Sequence, residues 1–164
     1  FKAMSERKLR VWFYAEPPQV KLFDKVLKEL PELVAIFNHC GFMVSLDNLS
    51  IDEHNRPHFS VDLPPETLDL LEMVAANPNT HVHFSGQYAF THDPYPHNDM
   101  KPIAQRLFKI FGPSRMLWAS DFPWITEEPG YKEQLALVDY LLPELNTEDR
   151  SKICGGNAEK LFIF

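Results

Sequence analysis

Four short apolar runs, each followed by a stretch with helical spacing, limit this chain more than any other feature. They span residues 9–14, 33–37, 80–85 and 115–119, and they are rich in aromatic and β-branched side chains. The first stops at Glu16-Pro17-Pro18, the second at Asn38-His39-Cys40-Gly41, the third at Gly86 and the fourth at Ser120-Asp121 ahead of Pro123. Residues 19–30 then carry apolar positions at Val20, Leu22, Phe23, Val26, Leu27 and Leu30, which is the stripe of an amphipathic helix ended by Pro31. Helices are expected on the same grounds over 65–76, 100–111 (closed by Gly112-Pro113) and 128–145 (interrupted near Pro143). A short last helix is expected from residue 146, with Thr147 as its N-cap and no capping box, because Arg150 stands three residues on. Gly155-Gly156 breaks the chain before a tail over 157–164. The long connection 42–64, with His54, Arg56 and His58, shows no hairpin signal. Regular strand–helix alternation predicts an α/β fold with a parallel sheet and crossover helices, in one domain over residues 1–164. Four βα units are either half of an eight-stranded barrel or a small open sheet, and the pattern leaves both open.

Composition excludes several functions. The net charge is −7 and no basic cluster exceeds Lys8, Arg10 and their neighbours, so no nucleic-acid partner is expected. No apolar run approaches the roughly 18–20 residues that span a bilayer, so no membrane partner is expected either. Cys40 and Cys154 are too few for a disulfide framework and suit a reducing compartment, which predicts a cytoplasmic protein. The first residue is Phe1 rather than Met, so either a leader has been removed or the chain is the tail of something longer.

Candidate chemistry concentrates at strand ends. Asp121 closes a buried strand, where α/β folds place ligands and catalytic groups, although an Asp before Pro123 also suits a simple turn. His39 closes another strand and is read either as a site residue or as a histidine bonded to backbone. In the third strand, His81 and His83 are two apart and therefore share a face. Both imidazoles could reach one metal with Asp121, but spacing alone does not assign them as ligands. His92 and His97 lie in a polar loop and are expected to be solvated; His54 and His58 are similar, in a loop long enough to cover a site.

Four phrases then stand together in order: Asn38-His39-Cys40-Gly41, residues 77–86 (Asn-Pro-Asn-Thr-His-Val-His-Phe-Ser-Gly), residues 111–124 ending Ala119-Ser120-Asp121-Phe122-Pro123-Trp124, and Gly155-Gly156-Asn157-Ala158. From about residue 9 to 162 the chain resembles the C-terminal half of the amidohydrolase-related metal-dependent hydrolases, in the branch that includes sugar-acid and muconolactone lactonases. The resemblance implies the C-terminal half of a (β/α)8 TIM barrel. It also implies that Asp121 binds the metal and takes the proton of the attacking water. His39 is then a metal-adjacent ligand or the group that polarises the substrate carbonyl. His83 replaces the family's usual lysine and is a candidate substrate contact. Trp124, at the end of the same phrase as Asp121, is a second candidate substrate contact. The family's first-strand His-x-His pair has no counterpart here, and residues 11–15 carry no histidine, which favours the lactonase-like over the decarboxylase-like branch.

The expectation is therefore a metal-dependent hydrolase that opens a small lactone or cleaves a related ester or amide, using zinc, with manganese as the other candidate. A catalytic zinc usually has three protein ligands, and Asp121 with His39 supplies two at most. The rest must come from a missing N-terminal half or from another chain, such as a second copy in a homodimer. The alternative is a non-catalytic half-barrel that needs such a partner. A phosphate-binding module is disfavoured, because Gly155-Gly156 follows the last strand instead of joining a strand to a helix.

Overall fold

The computed structural model describes residues 1–42, 44–126 and 129–162. In chain order the elements are α1 (Lys2–Glu6), β1 (Arg10–Phe13), α2 (Pro17–Glu29), β2 (Val34–Phe37), β3 (Leu49–Ile51), β4 (Pro57–Phe59), α3 (Thr67–Ala75) and β5 (Thr80–Phe84). They continue with α4 (Gln87–Phe90), α5 (Lys101–Phe111), β6 (Met116–Trp118), α6 (Tyr131–Leu141), α7 (Thr147–Ser151) and α8 (Asn157–Leu161). All four apolar runs become strands of one parallel sheet, ordered β1-β2-β5-β6.

Alternation along the strands sorts side chains onto two faces. Val11, Ala35, Phe37, Val82, Phe84 and Met116 are buried in the main core, and Phe13 stacks on Phe23 of α2 with ring centroids 4.2 Å apart. That face is covered by the apolar stripes of α2, α3, α5 and α6: Val20, Phe23 and Leu27; Leu68, Leu71 and Val74; Ile103 and Leu107; Leu137, Val138 and Leu141. Each such burial contributes about 1.5–3 kcal/mol, which is why short strands of mediocre length hold. The register pairs Trp12 with Ile36, Ile36 with His81 and His83 with Leu117. These residues therefore share the opposite face, where Ile36 and Leu117 are buried apart from the main core and Trp12 stays half exposed.

The amino ends of the strands are tied by polar side chains. Asn77 Nδ2 donates to Leu27 O (3.1 Å), and Asn79 Nδ2 donates to Pro31 O (2.7 Å), joining the turn before β5 to the turn before β2. Arg115 donates to the carbonyls of Ala75 (2.8 Å) and Ile110 (3.0 Å) at the ends of α3 and α5. The buried Asn157 donates to Pro113 O (2.7 Å) and Met116 O (2.8 Å), fixing α8 to β6.

Three of the expected secondary-structure features differ in the structure. The connection 42–64 holds a hairpin: β3 and β4 pair antiparallel, with Leu49 opposite Phe59. Its turn is closed by Asp52, whose Oδ1 accepts from the backbone N–H groups of His54 and Arg56, both at 2.9 Å. The N-cap of α7 is Asn146 instead of Thr147, its side chain accepting from Asp149 N at 2.8 Å. Helix α6 is shorter than expected, and the expected start at Glu128 lies outside the described residues. The break expected at Gly155-Gly156 is present: the turn Lys152–Gly156 is kinked at Gly155 (φ 172°, ψ −41°) before α8 begins.

Candidate active site

Three strands of the parallel sheet end in residues whose backbones are left-handed. His39 (φ 51°), Cys40 (φ 54°) and Gly41 (φ 70°) follow β2, Gly86 (φ 73°) follows β5, and Asp121 (φ 59°) follows β6. L-residues adopt this region at a cost of about 1–2 kcal/mol each, and such strain gathers at functional sites. Here it turns the two candidate groups toward each other: His39 Nδ1 stands 3.8 Å from Asp121 Oδ2. The residues lie 82 apart in sequence and meet only because β5 sits between β2 and β6.

Gly86 is required by this meeting. A Cβ at Gly86 would stand 2.9 Å from His39 Nδ1 and 3.1 Å from His39 Cβ. Ser85 Oγ lies 3.3 Å from the same Nδ1. Beneath the histidine, Gln87 Nε2 donates to Cys40 Sγ (3.5 Å) and Gln134 Nε2 to Gln87 Oε1 (2.6 Å), bracing the β2 turn from within the core.

Asp121 has one partner the sequence did not announce. Tyr88, on α4, donates its hydroxyl hydrogen bond to Asp121 Oδ2 at 2.8 Å. The cleft above these groups, about 170 Å³, is walled by Tyr14, Pro57, Phe59, Phe90 and Trp124. The hairpin therefore supplies part of the wall, through Pro57 and Phe59 of β4. Tyr14, Tyr88 and the hairpin residues were missed from sequence; only the position of Tyr88 just after Ser85-Gly86 could have signalled it.

Burial lowers the His39 pKa, partly opposed by the Asp121 charge, so the ring is neutral at pH 7. Burial also raises the Tyr88 phenol above its usual range, and the Asp121 charge adds to the shift. His83 is held down to about 4, first by burial and then by the neighbouring His39 and His81. His83 thus sits close to His39 on the open sheet face but does not line the cleft; Trp124 does. His97, expected to be solvated, is buried at 6% exposure with Nδ1 3.1 Å from Asp93 O, because the loop folds back on itself, His92 N donating to Asp99 Oδ2 at 2.6 Å.

A metal is implied by the resemblance, and the donors present fit part of a site. A carboxylate and a neutral imidazole 3.8 Å apart could contact one ion, since zinc bonds to oxygen and nitrogen run about 2.0–2.2 Å. Among the described residues no group of three His, Cys, Asp or Glu gathers to hold a metal, so His81 and His83 do not complete the set.

Solved structures share this architecture. A zinc-bound amidohydrolase from Burkholderia multivorans superposes with a TM-score of 0.69 at 19% identity, over 96% of this chain and 54% of its own. A probable 2-pyrone-4,6-dicarboxylic acid hydrolase from Acinetobacter baumannii, with citric acid bound, gives 0.68 at 16% identity, over 99% and 55%. A 2,6-dihydroxybenzoate decarboxylase from Rhizobium gives 0.51 at 16% identity, over 96% and 52%. The chain thus spans about half the length of these proteins, and at such identities the likeness concerns the fold, whose four parallel βα units are half a TIM barrel. No curated protein matches. A family model described as amidohydrolase matches residues 1–164, and with half of that family's barrel in place, the chain belongs to the amidohydrolase family.

Proposed function

We propose that this chain is the C-terminal half of a metal-dependent hydrolase acting on a small lactone, ester or amide, with Asp121 and His39 as its catalytic pair. The observation that carries this reading is the convergence of Asp121 Oδ2 and His39 Nδ1, 3.8 Å apart, at the carboxyl ends of two barrel strands. A divalent ion bound there, zinc or manganese, supplies Lewis acidity to a carbonyl and makes water a stronger acid at neutral pH.

The chain's own residues do the rest. Asp121 Oδ1 or Oδ2 accepts the proton that the attacking water loses. His39, neutral and with Ser85 Oγ beside its ring, turns a ring nitrogen to the ion or to the substrate carbonyl. Tyr14, Phe59 and Trp124 bury the substrate's apolar part and exclude bulk water. His83, on the open sheet face outside this cleft, meets only a substrate that reaches beyond it into the barrel interior. The absence of histidine in β1 favours hydrolysis over the decarboxylation named for one structural neighbour.

Further ligands come from outside this chain. The sheet has β1 and β6 as edges and leaves Trp12 half exposed on its inner face, a surface suited to the other half of the barrel. The test is turnover of a panel of small lactones, esters and amides by the protein at its natural length, loaded with zinc or manganese. Asp121→Asn is expected to lower kcat by about 100- to 10,000-fold on the substrate that turns over. A variant as active as wild type, or a loaded protein inert across the panel, overturns the reading.

A further inference from the structure

Asp121 sits on a strand end with a left-handed backbone (φ 59°) and faces the open cleft, so its carboxylate needs something to fix its rotation. His39 is too far to do so, since 3.8 Å exceeds a hydrogen bond. Tyr88 is near enough, at 2.8 Å from Oδ2. We infer that Tyr88 is the positioning residue of the site: its hydroxyl holds Oδ2 of Asp121 and thereby aims Oδ1 into the cleft, which rests on the reading of Asp121 given above.

The phenol is itself well held. Tyr88 is only 6% exposed and lies on α4, which starts at the left-handed Gly86 that packs against His39. On the ring's other side the hairpin turn brings Arg56, whose guanidinium carbon is 5.6 Å from the ring centroid. Arg56 is anchored in turn by Asp52, with Nη2 to Oδ2 at 2.8 Å. The hairpin, α4 and β6 therefore converge on one hydrogen bond. A charge-assisted bond of this kind, from a rigid donor, orients a carboxylate as partners of metal-ligating groups do.

A buried phenol also needs an acceptor for its own sake, so the bond alone does not separate positioning from structural satisfaction. Tyr88→Phe removes the hydroxyl and nothing else. Two readouts apply: the pose of Asp121 in a metal-free crystal structure of the variant, and zinc affinity by chelator competition in the protein at its natural length. Positioning predicts a rotated Asp121 carboxylate and zinc binding weakened by about 10- to 100-fold, with no further loss when the same change is made in Asp121→Ala. An unmoved carboxylate overturns the inference, as does unchanged affinity in a protein whose zinc binding depends on Asp121. If the wild-type protein binds no zinc, the metal reading fails and the carboxylate pose alone decides the role of Tyr88.

Discussion

Gly86→Ala is the sharpest local test of the site geometry. The added methyl carbon would stand 2.9 Å from His39 Nδ1, 3.1 Å from its Cβ and 3.2 Å from its Cγ. Rotating the imidazole relieves only part of this, because the His39 Cβ does not move with χ1; the turn at 39–41 must shift by a few tenths of an ångström. Gly86 also has φ 73°, where a non-glycine residue costs about 1–2 kcal/mol. With a further 1–2 kcal/mol or so for the overpacked contact, the loss should be about 2–4 kcal/mol. At roughly 2–4 °C per kcal/mol for a chain of this size, Tm should fall by about 4–16 °C. Gly112→Ala is the control for the contact: no atom lies within 4 Å of the added carbon, although φ 63° with ψ 170° is a region nearly reserved for glycine and costs about 1–3 kcal/mol by itself. Both variants therefore lose stability, and zinc affinity separates them. Gly86→Ala should weaken zinc binding and Gly112→Ala should not. A Tm loss below about 4 °C for Gly86→Ala, or zinc affinity unaffected by it, would refute the claim that Gly86 is kept to let His39 approach.

Two further outcomes follow from packing and charge. Asn157→Ala leaves the carbonyls of Pro113 and Met116 without their donor in a buried place, so unfolding in urea should show a loss of about 1–3 kcal/mol; a loss below about 0.5 kcal/mol would mean that α8 is not anchored there. Burial, aided by the Arg115 charge, lowers His81 to about 4 from its ordinary 6.5. The unfolded chain takes up this proton near pH 6.5 and the folded chain only near 4, so the neutral ring's contribution is full above 6.5 and is lost as pH falls through that window. His81→Gln should flatten the stability–pH curve between those limits, and an identical curve would show that His81 is solvated.

The strands were legible because parallel strands buried on both faces read as continuous apolar runs, and the helices because their stripes repeat at helical spacing. Hairpin β3–β4 was not, since its strands are three residues long, Leu49–Ile51 is exposed, and its turn is closed by Asp52 in place of an Asn-Gly pair. The recurrent phrases divide by the end of the sheet they occupy. Asn77, Asn79, Arg115 and Asn157 tie turns and helix ends together at the amino ends of the strands, whereas His39 and Asp121 stand at the carboxyl ends. The residue types of the pair were visible in the sequence, but the left-handed backbones that turn them together were not, because that region is uncommon for any non-glycine residue and residue type alone does not announce it. Tyr88 and the buried His97 escaped for a related reason: each owes its role to a partner fixed by a loop's path, not by spacing.

The central claim is that His39 and Asp121 together hold the catalytic ion. Elemental analysis of the purified protein at its natural length, beside Asp121→Ala and His39→Ala, tests it most directly. The account predicts about one zinc or manganese per chain in the wild type and a clear loss in each variant. Full metal content in both variants, or none in the wild type after exposure to either ion, would contradict it.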